Sequence, residues 1–398
     1  MMDGGEAGLI VENVFMSKKF PLFDVEVFRK NLVEAVKRYT VFKLGYVLKN
    51  DLMHWVEIDP AEFDVVEVCD TVREWDAVIV REDVQWKENS PLYRVWIERD
   101  LKAGEATVLL LMSHMLCDGR TISAPFLTVC SAVPGEKAVE FEDAPLVEFG
   151  HESYFEGIDE SVWRSVPECW NVPKGGLLPP LRNYRKGLGY CNRYLSMPYA
   201  TARQFCKKHG VGLQAIVSAC FTESIRRFNK LDREEVIAAY FPQDMRSHPN
   251  ASERFRKQDF YCGVGAQLAH VKSKPTLLET IKHCQEKVVG AVNGMSGPIL
   301  YLQLAHMIDP ETGKMGEVRF PSLYADHLLF ASNVGSLPGK IGYQATVFEE
   351  YFALAYFFTV GDTLYYMFAH PDSMDEALVA LVMDDAKNMV EFIEANSN

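Results

Sequence analysis

The chain has 398 residues, of which 48% are hydrophobic and 24% charged, and a net charge of −14. These proportions are those of an ordinary globular protein, long enough for two domains or one large two-lobed body. The negative charge argues against a general nucleic-acid binder and against adsorption to anionic membranes, because both partners attract basic surfaces.

The cysteines and the N-terminal sequence favour a cytoplasmic protein. The nine cysteines show no Cys-x-x-Cys pair, so reduced thiols are expected rather than a disulfide framework. The cysteines and the ten histidines lack metal-ligand spacing, so no metal site is expected. The acidic, polar N-terminus is unlike a signal peptide, and no apolar stretch approaches the length of a membrane span.

Hydrophobic patterns predict a mixture of helices and strands in the first part of the chain. An apolar stripe predicts a helix over residues 25–39, capped by Asp24. The unbroken apolar run Val108–Met112 predicts a strand buried on both faces, which pairs with the preceding strand across a turn at 100–105. We predict strands at residues 44–47, 53–58, 93–97 and 107–113, and a helix at 122–129.

The second part of the chain repeats this mixture after an acidic, proline-rich segment, residues 134–180, which we interpret as a connection between lobes. We predict strands at 189–195, 236–241, 262–271, 328–331, 350–359 and 364–369, and helices at 199–209, 213–228, 276–289 and 373–394. The sequence therefore predicts an α/β protein with two lobes, residues 1–175 and 176–398, and a ligand-binding cleft between them.

The segment His114-Met-Leu-Cys-Asp118-Gly119 directly follows the predicted buried strand. The imidazole stands where the strand leaves the core, a position from which side chains meet ligands, and Gly119 indicates a turn. The alternative is a structural histidine, which is the commoner reason for a lone histidine after a strand.

Six segments occur in an order that carries a family resemblance. They are Phe28–Tyr39, Pro91–Val95, Ser113–Gly119 with its HxxxDG motif, Lys207–Ile216, Asp244–Arg246 and Ser332–Gly335. Together they resemble the acyl-CoA-dependent acyltransferases that share the chloramphenicol acetyltransferase and condensation-domain fold. This resemblance implies two chloramphenicol-acetyltransferase-like lobes, each a mixed sheet flanked by helices, with the active-site channel between them.

Three departures refine the resemblance. Ser113 stands where condensation domains usually carry the first of two histidines, and no attached carrier-protein domain is expected. The DFGWG motif of the plant BAHD acyltransferases is absent. The chain is therefore most similar to free-standing alcohol acyltransferases, including those associated with polyketides and secondary metabolism.

The resemblance implies acyl transfer from acyl-CoA, or from acyl-phosphopantetheine, directly to a hydroxyl or amine acceptor. His114 would be the general base, because the ordinary pKa of histidine lies near neutral pH. Neither a permanently bound cofactor nor a covalent acyl-enzyme is implied. A thiol mechanism through Cys117, which lies near His114 in sequence, is the alternative.

Two further motifs receive roles from the resemblance. Asp118 would pair with Arg246, the strand-end arginine, and so hold the turn and the imidazole in place. The alternative is that Arg246 is an ordinary surface arginine. Ser332 and Asn333 would face the channel, with Asn333 bonding to the substrate or the developing oxyanion. A simple turn, with Gly335 supplying the unusual backbone, is the alternative.

Coenzyme A carries phosphates, so a basic patch is expected despite the acidic chain. The candidates are Arg254, Arg256 and Lys257, or a second set of Arg182, Arg185 and Lys186. Either set is alternatively a solvated charged face.

The leading hypothesis is thus a soluble O- or N-acyltransferase with a small-molecule acceptor. The alternatives are a non-catalytic binding or scaffold protein of the same fold, and a condensation-type enzyme that takes its acyl donor from a carrier protein.

Overall fold

The computed structural model describes residues 12–49, 52–70, 86–114, 116–143, 154–156, 190–257, 263–292, 294, 297–299, 328–345, 353–371 and 374–397. Its strands are β1 (Glu12–Pro21), β2 (Leu44–Lys49), β3 (Leu52–Glu57), β4 (Val66–Cys69), β5 (Tyr93–Asp100), β6 (Glu105–Ser113), β7 (Tyr190–Pro198), β8 (Ile237–Asp244), β9 (Val264–Val271), β10 (Leu328–Ser336), β11 (Lys340–Ala345), β12 (Leu354–Val360) and β13 (Thr363–Pro371). Its α-helices are α1 (Val25–Val36), α2 (Ser123–Cys130), α3 (Tyr199–His209), α4 (Leu213–Asn229), α5 (Glu253–Arg256), α6 (Leu277–Val292) and α7 (Glu376–Asn396). Short 3₁₀ helices lie at Thr40–Lys43, Pro60–Glu62 and Met245–Ser247.

The helix ends follow the signals in the sequence. Asp24 caps α1, since its carboxylate accepts hydrogen bonds from the backbone N–H groups of the second and third helical residues. Gly210 ends α3 in the left-handed region, with φ of 67°. The hydroxyl of Thr276 and the carboxylate of Glu279 form the capping box of α6, with Thr276 N–H donating to the carboxylate at 3.0 Å. These three predictions are confirmed.

The chain folds into two compact units, and β6 is the central strand of the first. The order in this five-stranded sheet is β11-β1-β6-β5-β4, and β6 is antiparallel to both of its neighbours. Every residue of the run Val108–Met112 is fully buried, as predicted. Helices α1 and α2 contact each other, and α2 contacts β6. The segment that carries His114 therefore leaves the middle of a covered sheet.

A strand from late in the chain completes the first sheet. Strand β11 pairs with β1, and residues 338–345 belong to the first unit. The prediction of a contiguous second lobe over residues 176–398 is wrong for this segment. The predicted boundary at residue 175 lies outside the described residues and stays a prediction.

The second unit is built on a six-stranded sheet with the order β7-β13-β12-β10-β8-β9. Strand β10 is parallel to both β8 and β12, and the other pairs are antiparallel. Helices α4, α6 and α7 contribute apolar side chains to one core with this sheet, and the rings of Phe221 and Phe368 meet edge to face within it. The five-stranded sheet is also mixed, because β4 is parallel to β5, so both large sheets are mixed and flanked by helices, as the sequence predicts. Strands β2 and β3 form a separate antiparallel pair.

The two described parts of the predicted connecting segment belong to different units. In residues 134–143, the Asp143 carboxylate accepts from the N–H and hydroxyl of Thr40 in the first unit, both at 2.9 Å. Residues 154–156 lie in the second unit. Phe155 forms a β-bridge with Ala251, and its ring lies against those of His248 and Phe255. In the described part of the chain, no helix combines the length and hydropathy needed to cross a membrane. No disulfide joins the cysteines that the structure describes.

Close contact between β1 and β11 gives the first prediction. Gly342 lies opposite Phe15 in the register, and a Cβ on Gly342 would lie 2.0 Å from the buried Phe15 ring. We expect Gly342→Ala to lower the free energy of unfolding by about 1–3 kcal/mol, because the ring and strand must shift. Urea denaturation measures this.

The matched control is Gly290→Ala, at an exposed helical glycine where a Cβ meets no atom within 4 Å. It should raise the free energy of unfolding by about 0.5–1 kcal/mol, because alanine favours helix. Equal effects of the two substitutions would contradict the pairing of β11 with β1.

Candidate functional site

His114 is the first residue beyond the central strand. It is half-buried and begins a turn. The carbonyl of Ser113 accepts hydrogen bonds from the backbone N–H of Leu116 at 3.0 Å and from the thiol of Cys117 at 3.7 Å. The chain therefore folds back immediately after the histidine, and the fully buried Cys117 thiol is directed at the backbone.

The Asp118 carboxylate holds this turn together. It is fully buried, and Oδ1 accepts from the backbone N–H of Arg120 at 2.9 Å and of Thr121 at 2.8 Å. In return, the Thr121 hydroxyl accepts from the Asp118 N–H at 2.8 Å. This reciprocal arrangement leads into α2, and hydrogen bonds from backbone N–H groups stabilise an ionised carboxylate. The predicted turn at Gly119 is confirmed, and Asp118 has a structural role in it.

A buried polar pair that was not predicted from the sequence lies beside the same strand end. Asn13 on β1 lies opposite Ser113, and both are fully buried. The Asn13 side-chain oxygen accepts from the Trp86 indole N–H at 2.9 Å, and the Trp86 carbonyl accepts from the Tyr46 hydroxyl at 2.6 Å. These bonds tie the neighbouring strand and the 86–92 segment to the position from which His114 emerges. No sequence pattern predicted this bond, because β1 itself was not predicted.

Arg246 lies in the 3₁₀ turn at the end of β8 and is 3% exposed. Its Nε donates to Asp244 Oδ1 at 2.6 Å, and the same oxygen accepts from the Arg246 backbone N–H at 3.1 Å. The guanidinium lies flat against Gly263, where a Cβ would come within 2.8 Å of Cζ. The interpretation of Arg246 as an ordinary surface arginine is therefore wrong. The predicted pair with Asp118 joins the two units and stays a prediction.

The Ser332–Gly335 motif lies within β10 and forms a β-bulge rather than a turn. The register of β10 against β12 shifts between Asn333 and Gly335, and Gly335 has a φ of 88°. Ser332 is buried, whereas Asn333 is exposed. Because β8 and β10 are parallel neighbours, the Arg246 turn and this bulge lie at the same edge of the second sheet. The unusual backbone expected at Gly335 is confirmed.

The predicted phosphate-binding residues lie on and just after α5. The Arg256 guanidinium donates to the carbonyls of His248, Pro249 and Ala251, at 2.7 to 3.1 Å, and so holds the loop before the helix. Lys257 pairs with Glu253 at 2.7 Å.

Arg254 is exposed on the same short helix. Coenzyme A binding by Arg254, Arg256 and Lys257 stays a prediction. The alternative set, Arg182, Arg185 and Lys186, lies outside the described residues.

His248 packs under the Arg246 turn as a neutral imidazole. Its Nδ1 accepts from the Asn250 N–H at 3.2 Å, so Nε2 carries the proton and donates to the Gly294 carbonyl at 3.3 Å. Burial lowers the pKa of His248, and the charge of Arg256 lowers it further. Among the described residues, no group of three or more His, Cys, Asp or Glu side chains is placed to hold a metal ion.

No family model matches the chain, and no curated protein matches its sequence. Solved structures resemble it over nearly its whole length. The epimerization domain from the third module of tyrocidine synthetase B is 10% identical, with a TM-score of 0.63 covering 98% of this chain and 93% of that chain. The first condensation domain of the calcium-dependent antibiotic synthetase is 14% identical, with a TM-score of 0.62 covering 98% and 92%. Polyketide synthase associated protein 5 from Mycobacterium tuberculosis is 12% identical, with a TM-score of 0.61 covering 96% and 95%.

At these identities the likeness establishes the fold. The chain has the two-lobed, mixed α/β fold of condensation domains and chloramphenicol acetyltransferase.

The buried Asp118 carboxylate gives a second prediction, with Asp24 as its matched control. Both carboxylates accept two backbone N–H groups, but Asp24 is exposed. We expect Asp118→Ala to lower the free energy of unfolding by about 3 kcal/mol, because it leaves buried donors without an acceptor. Asp24→Ala should cost about 1 kcal/mol, the usual loss of an exposed helix cap. Urea denaturation at pH 7 compares them, and equal losses would argue against the buried turn.

The neutral state of His248 gives a third prediction. Its pKa in the folded protein lies below the ordinary value of 6.5, so the unfolded chain binds the proton more readily. The free energy of unfolding should therefore fall as the pH drops below about 6.5, by up to about 1.4 kcal/mol per pH unit for this group. His248→Gln should reduce this slope in urea titrations between pH 7 and pH 5.5.

The difference between the slopes of wild type and His248→Gln cancels the contributions of the other titrating groups. These include His270 and His283, whose pKa values are also lowered mainly by burial. The control is His54→Gln, the same substitution at an exposed position. An unchanged slope in His248→Gln would show that this imidazole is not held neutral by the fold.

Proposed function

We propose that the chain transfers an acyl group from a thioester to a hydroxyl or amine acceptor, with His114 as the general base. The observation that carries the proposal is the position of His114, which leaves the central strand and enters a turn held by the buried Asp118 carboxylate. The condensation-domain-like fold supports an acyl-transfer or condensation-type reaction. The HxxxDG motif of the sequence supports the assignment of His114 as the general base.

In the proposed reaction the acceptor oxygen or nitrogen attacks the thioester carbonyl while the His114 imidazole takes its proton. The tetrahedral intermediate then expels the thiolate, which receives the proton from the imidazolium. The products are an ester or amide and a free thiol, so no other reactant is required. A general base contributes about 10²–10⁴-fold in rate.

Direct attack needs no nucleophilic side chain. Cys117 supports this view, because its thiol is buried and is directed at the Ser113 carbonyl. We assign it a packing role in the turn.

We further propose that the exposed Asn333 side chain hydrogen-bonds the substrate or its developing oxyanion. A β-bulge re-aims a side chain locally, and this bulge presents Asn333 at the edge of the sheet that also carries the Arg246 turn. Asp118 and Arg246 are positioning residues in this proposal.

The donor is proposed to be acyl-CoA. A carrier-bound acyl-phosphopantetheine is the second candidate, because solved structures with this fold include domains of peptide synthetases. The two donors share the thioester and its phosphopantetheine arm, so the same base would serve both. A non-catalytic binding or scaffold role is the alternative outside enzymes.

Thiol release tests the proposal and gives a fourth prediction. Wild type and His114→Ala are incubated with a panel of acyl-CoA donors and simple alcohol and amine acceptors. We expect thiol release by wild type and a loss of about a hundredfold or more in His114→Ala, the order expected for removal of a general base. Cys117→Ser, which keeps a hydroxyl donor toward Ser113, should retain most of the activity.

The same panel separates the alternatives. If the acyl group is transferred from an acylated carrier protein but not from free coenzyme A thioesters, the protein is a condensation-type enzyme. A bound donor must raise the melting temperature. If no donor is consumed and none raises it, the hypothesis of a non-catalytic scaffold protein replaces that of an enzyme. Strong loss in Cys117→Ser would instead indicate a covalent thiol mechanism.

A further inference from the structure

The second unit contains a pocket of about 320 Å³ that the proposed reaction does not use. It is bordered by α4, by the segment between α4 and β8, by the start of α6 with the residues before it, and by α7. Three arginines line it, namely Arg226, Arg227 and Arg233, together with the apolar side chains of Leu277 and Met389. A basic lining of this kind is unexpected in a chain with a net charge of −14.

The first carboxylate in the pocket, Glu223, is paired with Arg226. Its Oε1 lies 3.1 Å from the Thr280 hydroxyl, whose single proton is shared with the Thr276 carbonyl at the same distance. Its Oε2 accepts from Nε and Nη2 of Arg226 at 3.1 and 3.0 Å. Both oxygens therefore have protein partners, and the side chain is only 16% exposed.

The second carboxylate, Asp385, is engaged in the same way. Its Oδ2 accepts from the Ser224 hydroxyl at 2.9 Å, and its Oδ1 accepts from Nη1 of Arg227. The side chain is 9% exposed, and burial raises its pKa. Each carboxylate is therefore paired with an arginine, Glu223 with Arg226 and Asp385 with Arg227, and neither is an uncompensated charge.

The arginines, in contrast, retain hydrogen-bond donors. A guanidinium carries more N–H groups than these contacts use. Within the described part of the chain, the only partner of Arg233 is the carbonyl of Lys274, and it has no carboxylate. Asn388, which also lines the pocket, forms no hydrogen bond there. The lining thus has two paired carboxylates, spare donors on its arginines and one net positive charge.

We propose that this pocket binds a small organic anion through a phosphate or carboxylate group held by Arg233 and its neighbouring arginines. Guanidinium forks match both groups in geometry. The volume lies within the range of small-molecule sites, and the apolar wall gives the organic part of the ligand a surface to contact. The inference does not rest on acyl transfer, because the pocket residues do not include His114 or its turn.

Calorimetric titration of the full chain tests the proposal with inorganic phosphate, adenosine monophosphate and citrate, at matched ionic strength. We expect saturable binding of at least one probe, accompanied by a higher melting temperature. Arg233→Gln should weaken that binding by about tenfold or more, because it removes a charge-assisted contact from an exposed side chain. Arg233→Lys should give an intermediate loss, since it keeps the charge without the fork.

The matched control is Arg203→Gln, which makes the same charge change at an exposed position on α3. It should leave the affinity unchanged. If inorganic phosphate binds as tightly as adenosine monophosphate, the phosphate group is the part of the ligand that the pocket recognises. If citrate is the only probe that binds, the pocket recognises carboxylates. Failure of all three probes to bind wild type, or equal weakening in the Arg203 and Arg233 variants, would overturn the proposal.

Discussion

The candidate site depends on one buried carboxylate. Asp118 has no exposure to solvent, and it accepts two backbone N–H groups from the turn that follows His114. An ionised carboxylate is costly to bury unless donors surround it, so the turn and the carboxylate stabilise each other. The central strand fixes one end of the His114 backbone, and this turn fixes the other. The buried central strand of the first sheet and the turn after it therefore fix the position of the imidazole.

The parts of the fold that sequence patterns could predict are those set by local chemistry. The run Val108–Met112 has no alternation and forms a doubly buried strand, and Asp24 and Gly210 mark helix ends. Strands β1 and β11 carry no such signal. Their pairing joins distant segments of the chain, and the close fit of Phe15 over Gly342 is visible only once both are placed.

In the candidate site, too, local motifs were predicted from the sequence, whereas contacts between distant segments were not. The HxxxDG motif located the turn, and the strand-end arginine was found by resemblance. The burial of Arg246 against Gly263 and its bond to Asp244 depend on β8 and β9 meeting, which no spacing encodes. The bulge at Asn333 was expected as a turn, because the glycine signal is the same for both. The Asn13–Trp86 bond had no predictor, since β1 itself was not predicted.

The likeness to condensation domains defines the architecture, and chemistry belongs to the individual site. In this chain the second sheet gathers the Arg246 turn and the Asn333 bulge at one edge, where parallel strands end. The arginine-lined pocket is formed by a different set of elements, chiefly α4 and α7. The proposed acyl-transfer residues of this unit and the proposed anion site are therefore separate.

The most direct test of the account is the rate of acyl transfer in Asp118→Asn and Asp118→Ala, measured at saturating substrate on protein shown to be folded. Asparagine keeps an oxygen that can accept the two backbone N–H groups, whereas alanine does not. If Asp118 positions His114 through the turn, Asp118→Asn retains most of the maximal rate and Asp118→Ala loses about tenfold or more. A folded Asp118→Ala variant that transfers the acyl group at the wild-type rate would contradict the account.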